Sequence, residues 1–422
     1  MSRPDPGGRR SARALAFALG TGLLMAKPDL AMAQDEAPPR PVLDLPRDGY
    51  EAPDHRLGPL SVSITTNVRV EYDNNIFARQ NDRTEDLLVT VRPALRAALE
   101  SDRIAWVTEA QASAFRYARN SSENHEGYAV TSRLAWTGAP LTLGGRIGFE
   151  RTFESRNDPE ARRLLGAGPR LFNIALAEAF AGMDGSRTGL LAKVTAERYD
   201  FLSSFDDERD FASYQASLRA KYRLSGRINL FAQAYWNRRN FRLATDRGGV
   251  NRDGTSKAFL LGVDFDPRAR LHGEIAAGIL HFSPRDQSLA AYTGWELRGA
   301  VVYRPRERTA FTLDAFRGDV ATVRLGATGR IDTRVRLGVQ QEARHNLLMS
   351  AGMGWRKTRF RGLAGQTKTT WAADGEIEYL LNRHASIALT GQYVKRTVGG
   401  AFSSSLEAFG RFRTGLELRF KF

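Results

Sequence analysis

Six histidines (His55, His125, His272, His281, His345 and His384) and no cysteine limit the reactions open to this 422-residue chain. Acyl transfer would need a serine next to a histidine that an acid or amide holds in place. The nearest local arrangement is Ser121-Ser-Glu-Asn124 followed by His125, which is ordinary composition for a polar loop. His272 and His281 are nine residues apart, so on one strand they face opposite ways and cannot share a metal ion. Asp206-Asp-Glu208 presents oxygens that suit a hard cation, but Arg209 beside it weakens the local negative field. Gly144-Gly145 and Gly352-Met-Gly354 fall inside strand-like stretches and not before helices, so they are not phosphate-cradling loops. No catalytic residue, cofactor or metal site is expected, and the chain does not read as an enzyme.

The cations carry more information. Arg219, Lys221 and Arg223 alternate with Leu218, Ala220 and Tyr222; near the end, Arg411, Arg413, Glu417, Arg419 and Lys421 alternate with Phe412, Leu416, Leu418, Phe420 and Phe422. Side chains on a strand point alternately to its two faces, so one face is oily and the other nearly all ionised. A soluble sheet has no need of charge at almost every outer position, whereas a membrane barrel strand has lipid on one side and a wet lumen on the other. These eight charged residues are therefore expected to face a lumen. There the cations either form a ring that favours anions, or pair with Glu296, Asp374, Glu376, Glu378 and Glu417 on wet positions of other strands.

The elements that would hold them recur along the chain. Val62, Ile64, Val68, Val70 and Tyr72 share one parity; so do Leu87, Val89, Val91, Leu95 and Leu99, and later Phe259, Leu261, Val263 and Phe265. Eight short connectors rich in Gly, Pro, Asn, Asp and Ser alternate with nine longer polar ones, among them 73–85, 154–169 and 242–255. That count predicts an all-β, antiparallel transmembrane barrel of about 18 strands, with both ends on the short-turn side. If 154–169 or 242–255 fold inward, they constrict the pore. Trp106, Tyr117, Tyr128, Trp136, Phe153, Tyr199, Tyr214, Tyr222, Trp236, Tyr292, Tyr303 and Trp355 fall near strand ends, as interfacial girdles would. A sandwich or propeller is disfavoured, because residues 60–422 contain neither a linker nor a blade repeat.

The first residues read as an export signal. Arg9, Arg10 and Arg13 precede the apolar run 14–26, and Ala31-Met-Ala33 supplies a small-residue cleavage site. Residues 1–33 are assigned to a signal peptide, 34–59 to a Pro-rich periplasmic extension expected to be mobile, and 60–422 to the barrel. The net charge of +15 falls to +12 when the net +3 of residues 1–33 is removed. Since these cations are spread along strands and loops, and the protein is expected to be exported, nucleic acid is not an expected partner. A mean hydropathy of −0.40 fits a barrel, whose lumen and loops offset its lipid face.

Several segments resemble a known family. Tyr72-Asp-Asn-Asn-Ile-Phe77, Val91-Arg-Pro-Ala-Leu95, Arg198-Tyr-Asp-Phe201 and Glu378-Tyr-Leu-Leu-Asn-Arg383 leading into Ile387-Ala-Leu-Thr-Gly-Gln-Tyr393 are similar to the bacterial family called putative beta-barrel porin 2. The resemblance implies a barrel in the bacterial outer membrane, with pore or envelope-polysaccharide roles. The terminal Phe422 resembles the final-strand signal of the barrel assembly machinery. The expected function is a porin or channel for small anionic solutes or envelope polysaccharide; the alternative is a non-conducting accessory barrel of exopolysaccharide secretion. Expected partners are outer-membrane lipids and lipopolysaccharide, the assembly machinery and anionic polysaccharide.

Overall fold

The computed structural model describes residues 42–52, 55–161, 168–266, 269–324, 326–363, 365–400 and 408–422. The expected signal peptide and residues 34–41 lie outside the described residues. Eighteen strands of 12 to 16 residues, from Leu60–Asp73 to Phe409–Lys421, each pair antiparallel with the next. The last then pairs with the first, from Arg413 opposite Asp73 to Lys421 opposite Thr65. Beyond that ladder, Ile64 and Phe422 exchange two backbone hydrogen bonds of 3.0 and 2.8 Å. Closure leaves no unpaired edge, which a hydrocarbon environment requires. A three-residue strand, His55–Leu57, folds back on the start of Leu60–Asp73 through Gly58, whose φ of +64° favours glycine. The connections alternate between short and long, as the sequence suggests.

The seam is built by one of the family-like motifs. Asp73 pairs with Arg411 on the last strand (2.9 Å), and Asn74 accepts a hydrogen bond from the Phe412 N–H (2.8 Å). The Asn75 amide donates to the Gly410 carbonyl (2.9 Å), while the Asn75 N–H donates to Asp73 (2.9 Å). Both Asp73 and Asn75 are fully buried.

Outside, large apolar side chains stand open where lipid would lie: Ile279 is 64 % exposed, Leu261 59 % and Leu416 55 %. Strand Leu171–Asp184 offers mainly Ala175, Ala177, Ala179 and Ala181 on that face. So small a set of side chains gives only a faint period-two signal. Trp136, Trp236, Trp295, Tyr128, Tyr214, Tyr222 and Tyr303 are exposed, in keeping with girdles. Four expected girdle members do otherwise, and one of them, Tyr117, lines an inner cavity with Glu71 and Arg413. Tyr199 is buried in a stack with Phe211 (4.6 Å), Tyr292 packs on an inner apolar cluster, and Phe153 packs on His125 (4.2 Å).

Candidate functional site: a constricted lumen

The inward parity is an array of ion pairs, some within a strand, some between neighbouring strands and some reaching over one or more strands between. Arg336 makes a two-pronged contact with Asp374 (2.7 Å each), and Gly352 beneath it has no Cβ to obstruct the guanidinium. Asp332, fully buried, bridges Arg330 (2.7 Å) and Arg356. Asp319 lies between Arg239 (3.4 Å) and Arg361 (3.3 Å).

The eight residues singled out in the sequence lie on this wet parity. Arg411 pairs with Asp73, Arg413 with Glu71 (3.2 Å), and Arg219 with Glu274 (2.8 Å). Arg419 is held by Glu376 (2.8 Å), Glu378 (2.8 Å) and Glu417 (2.9 Å), and Glu417 also takes Arg69. Lys221 meets Asp184 at 3.3 Å, Arg223 donates to the Ser186 carbonyl (2.9 Å), and Lys421 is exposed at the short-turn rim. Of the two arrangements open in the sequence, the structure has the paired wall. An uncompensated ring of cations is not what these residues form, because carboxylates on the same, the next or a more distant strand stand beside Arg219, Arg411, Arg413 and Arg419.

Three segments enter the lumen. Residues 154–161 of one long loop reach strands on the far side of the sequence. Lys368 donates to the Pro159 carbonyl, Arg396 to the carbonyls of Asn157 and Asp158 (3.2 Å for the latter), and Arg411 to the Asn157 side chain (3.4 Å). The Thr322 hydroxyl donates to Glu160, which stands 3.8 Å from Arg330. Burial alone would raise both loop carboxyls. For Asp158 the charges of Arg330 and Arg356 overcome burial and hold it below the usual carboxylate range; for Glu160 burial prevails and the pKa is raised. The second segment, residues 74–80, tucks Ala78 against Ala372, Val394 and Phe409 and buries Ile76.

The third is part of the Pro-rich extension. Residues 42–50 had been expected to be mobile, yet they are docked at the short-turn end of the barrel. Val42 is fully buried against Val302 and Ala310, the Leu43 N–H donates to Gln340 (3.3 Å), and Arg47 stands 3.5 Å from Glu342. His345 meets the Asp48 carbonyl at 3.0 Å. Burial of Val42 and the Arg47 pair offset the ordering cost that low periodicity alone would leave unmet.

Loop residues 242–253 also reach across the long-loop mouth, where buried Arg252 pairs with Asp246 (2.6 Å) and donates to the Ala327 carbonyl. The acidic run at 206–210 is tied into loop ion pairs, Asp206 with Arg170 (3.0 Å) and Asp210 with Arg242 (3.0 Å). Among the described residues no group of three or more His, Asp or Glu could hold a metal ion. A cleft of about 170 Å³ lies between wall and inserted loop. Tyr199, Phe211 and Phe241 line it as a ladder of rings, with Ser213, Gln215 and Asn237 alongside. One motif legible beforehand belongs to this cleft: Arg198-Tyr-Asp-Phe201, whose Tyr199 and Phe201 both line it.

A closed wall, apolar without and ion-paired within, defines a transmembrane β-barrel. Its family follows from the sequence itself: residues 48–421 match the model described as "Putative beta-barrel porin 2", and the chain belongs to that family. No curated protein matches it. Among solved structures it is similar to a variant of the ferric enterobactin receptor of Pseudomonas aeruginosa, at 7 % identity and TM-score 0.43, covering 86 % of this chain and 80 % of that one. The siderophore receptor PirA of Acinetobacter baumannii gives 8 % and 0.43, covering 85 % and 80 %. The outer membrane protein opdK of P. aeruginosa gives 12 % and 0.42, covering 86 % and 99 %. Likenesses at this level carry no information about cargo.

Proposed function

We propose that the protein is a non-enzymatic channel of the bacterial outer membrane, passing small hydrophilic solutes through a lumen narrowed by residues 154–161. The observation that carries this reading is the seating of that loop on Arg330, Lys368, Arg396 and Arg411. A polar wall with a polar insert forms a hydrated constriction and not a dry core. Lipid and lipopolysaccharide meet the apolar exterior, and the strand ending at Phe422 serves insertion by the assembly machinery. Planar-bilayer recording of the purified protein tests this. The intact chain should open with small unitary steps, and removing 156–161 should enlarge them several-fold.

A second reading, an accessory barrel of exopolysaccharide secretion, draws on two features. Three segments occupy the lumen, and the cleft sets flat rings beside hydrogen-bonding amides, the combination that a sugar ring requires. Silence from both the intact and the loop-deleted protein would favour it over the channel.

A further inference from the structure

At the long-loop end, opposite the aromatic cleft, a smaller cavity of about 90 Å³ lies behind residues 154–157. We propose that it binds a tetrahedral oxyanion that carries a proton, either free phosphate or a phosphomonoester group, held chiefly by Arg92 and His125.

The first argument is charge. The carboxylates lining the cavity are already matched: Glu71 by Arg413, Glu123 by Arg156 (2.7 Å) and Glu154 by Arg209. Of the other lining arginines, Arg69 is taken by Glu417 and Arg411 by Asp73. Arg92 differs, because its guanidinium rests over the Phe115 ring at 5.5 Å and has no carboxylate partner among the described residues. One positive charge is thus left over in a confined, partly desolvated space, where its pull on an anion is little screened.

The second argument is the unsatisfied nitrogen of His125. This residue is 4 % exposed, clamped between Phe115 (4.4 Å) and Phe153 (4.2 Å), and lines the same cavity. Its Nδ1 lies 2.7 Å from the Glu123 carbonyl oxygen. A carbonyl cannot donate, so Nδ1 carries the proton and Nε2 of the neutral ring presents a lone pair. Nε2 has no partner among the described residues, and a buried polar atom left so is costly. A ligand that satisfies both groups must bring negative charge to Arg92 and an O–H to Nε2. Hydrogen phosphate does both, and so does a phosphomonoester in its singly protonated form; sulfate brings the charge without the proton. The hydroxyls of Thr90 and Tyr117 line the cavity as further donors.

The test is calorimetric titration of the full chain in detergent near pH 6, where about half of a phosphomonoester keeps its proton, with inorganic phosphate, glycerol 3-phosphate and sulfate. Phosphate should bind at least tenfold more tightly than sulfate. Arg92→Gln should weaken phosphate at least tenfold, whereas Arg238→Gln on the outer face should leave it unchanged. His125→Phe keeps a ring between Phe115 and Phe153 and should lower phosphate affinity to that of sulfate. Arg92→Lys, which keeps the charge should the glutamine variant fail to fold, should weaken binding but keep the preference for phosphate. Tighter binding of inorganic phosphate than of the ester would identify the free ion as the ligand; equal binding would identify a terminal phosphoryl group. Equal affinity for phosphate and sulfate in the intact protein, or phosphate binding indifferent to Arg92→Gln in a folded barrel, overturns the proposal.

Discussion

Asp332 lies fully buried between Arg330 and Arg356, and both hydrogen-bond to it. A buried carboxylate placed this way adds little net stability over an apolar substitute, but its removal leaves two guanidiniums without their counter-charge. Asp332→Asn is therefore expected to cost about 3–5 kcal/mol, measured by the denaturant midpoint of the detergent-folded barrel. The loop carboxyls two residues apart should respond oppositely to pH. Asp158 has a lowered pKa, so its contribution to seating the loop is present above the unfolded value and is lost as pH falls through the folded one. Glu160 has a raised pKa, so its neutral form favours the seat and that contribution fades as pH rises through the folded value. Protease nicking of 154–161 should accordingly increase toward low pH in a Glu160→Gln variant. Asp158→Asn should leave the loop open to cleavage even at neutral pH. If both variants nick at the same rate as the intact chain, the loop is held by its backbone carbonyls alone.

The last strand and the first motif belong together as elements. Leu416 faces lipid from the middle of Phe409–Lys421, so Leu416→Arg should destabilise the barrel by about 2–4 kcal/mol. At the seam, Asn75→Ala removes the clamp on Gly410 and should slow or abolish the heat-modifiable gel shift, while leaving the other strand pairs intact. Alternation in residues 411–422 and the rhythm of short and long connectors are local signals, and they made the strand number and the inward face legible in the sequence. Strands with alanine outer faces, such as Leu171–Asp184, were inferred from their connectors because their period is faint. The partners of the arginines were not legible. Arg413 and Glu71 meet only across the seam, 342 residues apart, and such pairs depend on a register that no window of sequence contains. Inward folding of 154–169 was open in the sequence but not decidable there, since a loop that hydrogen-bonds through its carbonyls has the composition of one that faces water. His125 stood out in the sequence for its neighbours Ser121 and Asn124; in the structure it is clamped between Phe115 and Phe153. The cavity it lines emerges from Phe115 and Phe153, which come from other strands.

At the scale of the whole molecule, inserts enter from opposite ends: residues 74–80 and the longer reach of 154–161 from the long-loop side, and residues 42–50 from the short-turn side. If ions pass through the barrel, the two constrictions lie in series and their resistances add. Removing one insert then lowers total resistance only by its own share, so the conductance gained by removing both should exceed the sum of the separate gains. The two deletions should also differ in charge selectivity. Residues 42–50 carry their Arg47 against Glu342, whereas the loop carries Asp158 and Glu160 against Arg330. Deleting 154–161 uncovers arginines and should move the reversal potential toward anions, while deleting 42–50 uncovers Glu342 and should move it toward cations. Arg411→Gln, Arg413→Gln and Arg419→Gln together should also move it toward cations, because they expose Asp73, Glu71 and Glu376. Bilayer recordings in a tenfold salt gradient measure all three shifts. Additive conductance gains with no change of sign between the deletions would mean that current does not pass both inserts in turn, and that the lumen described here is not the conducting path.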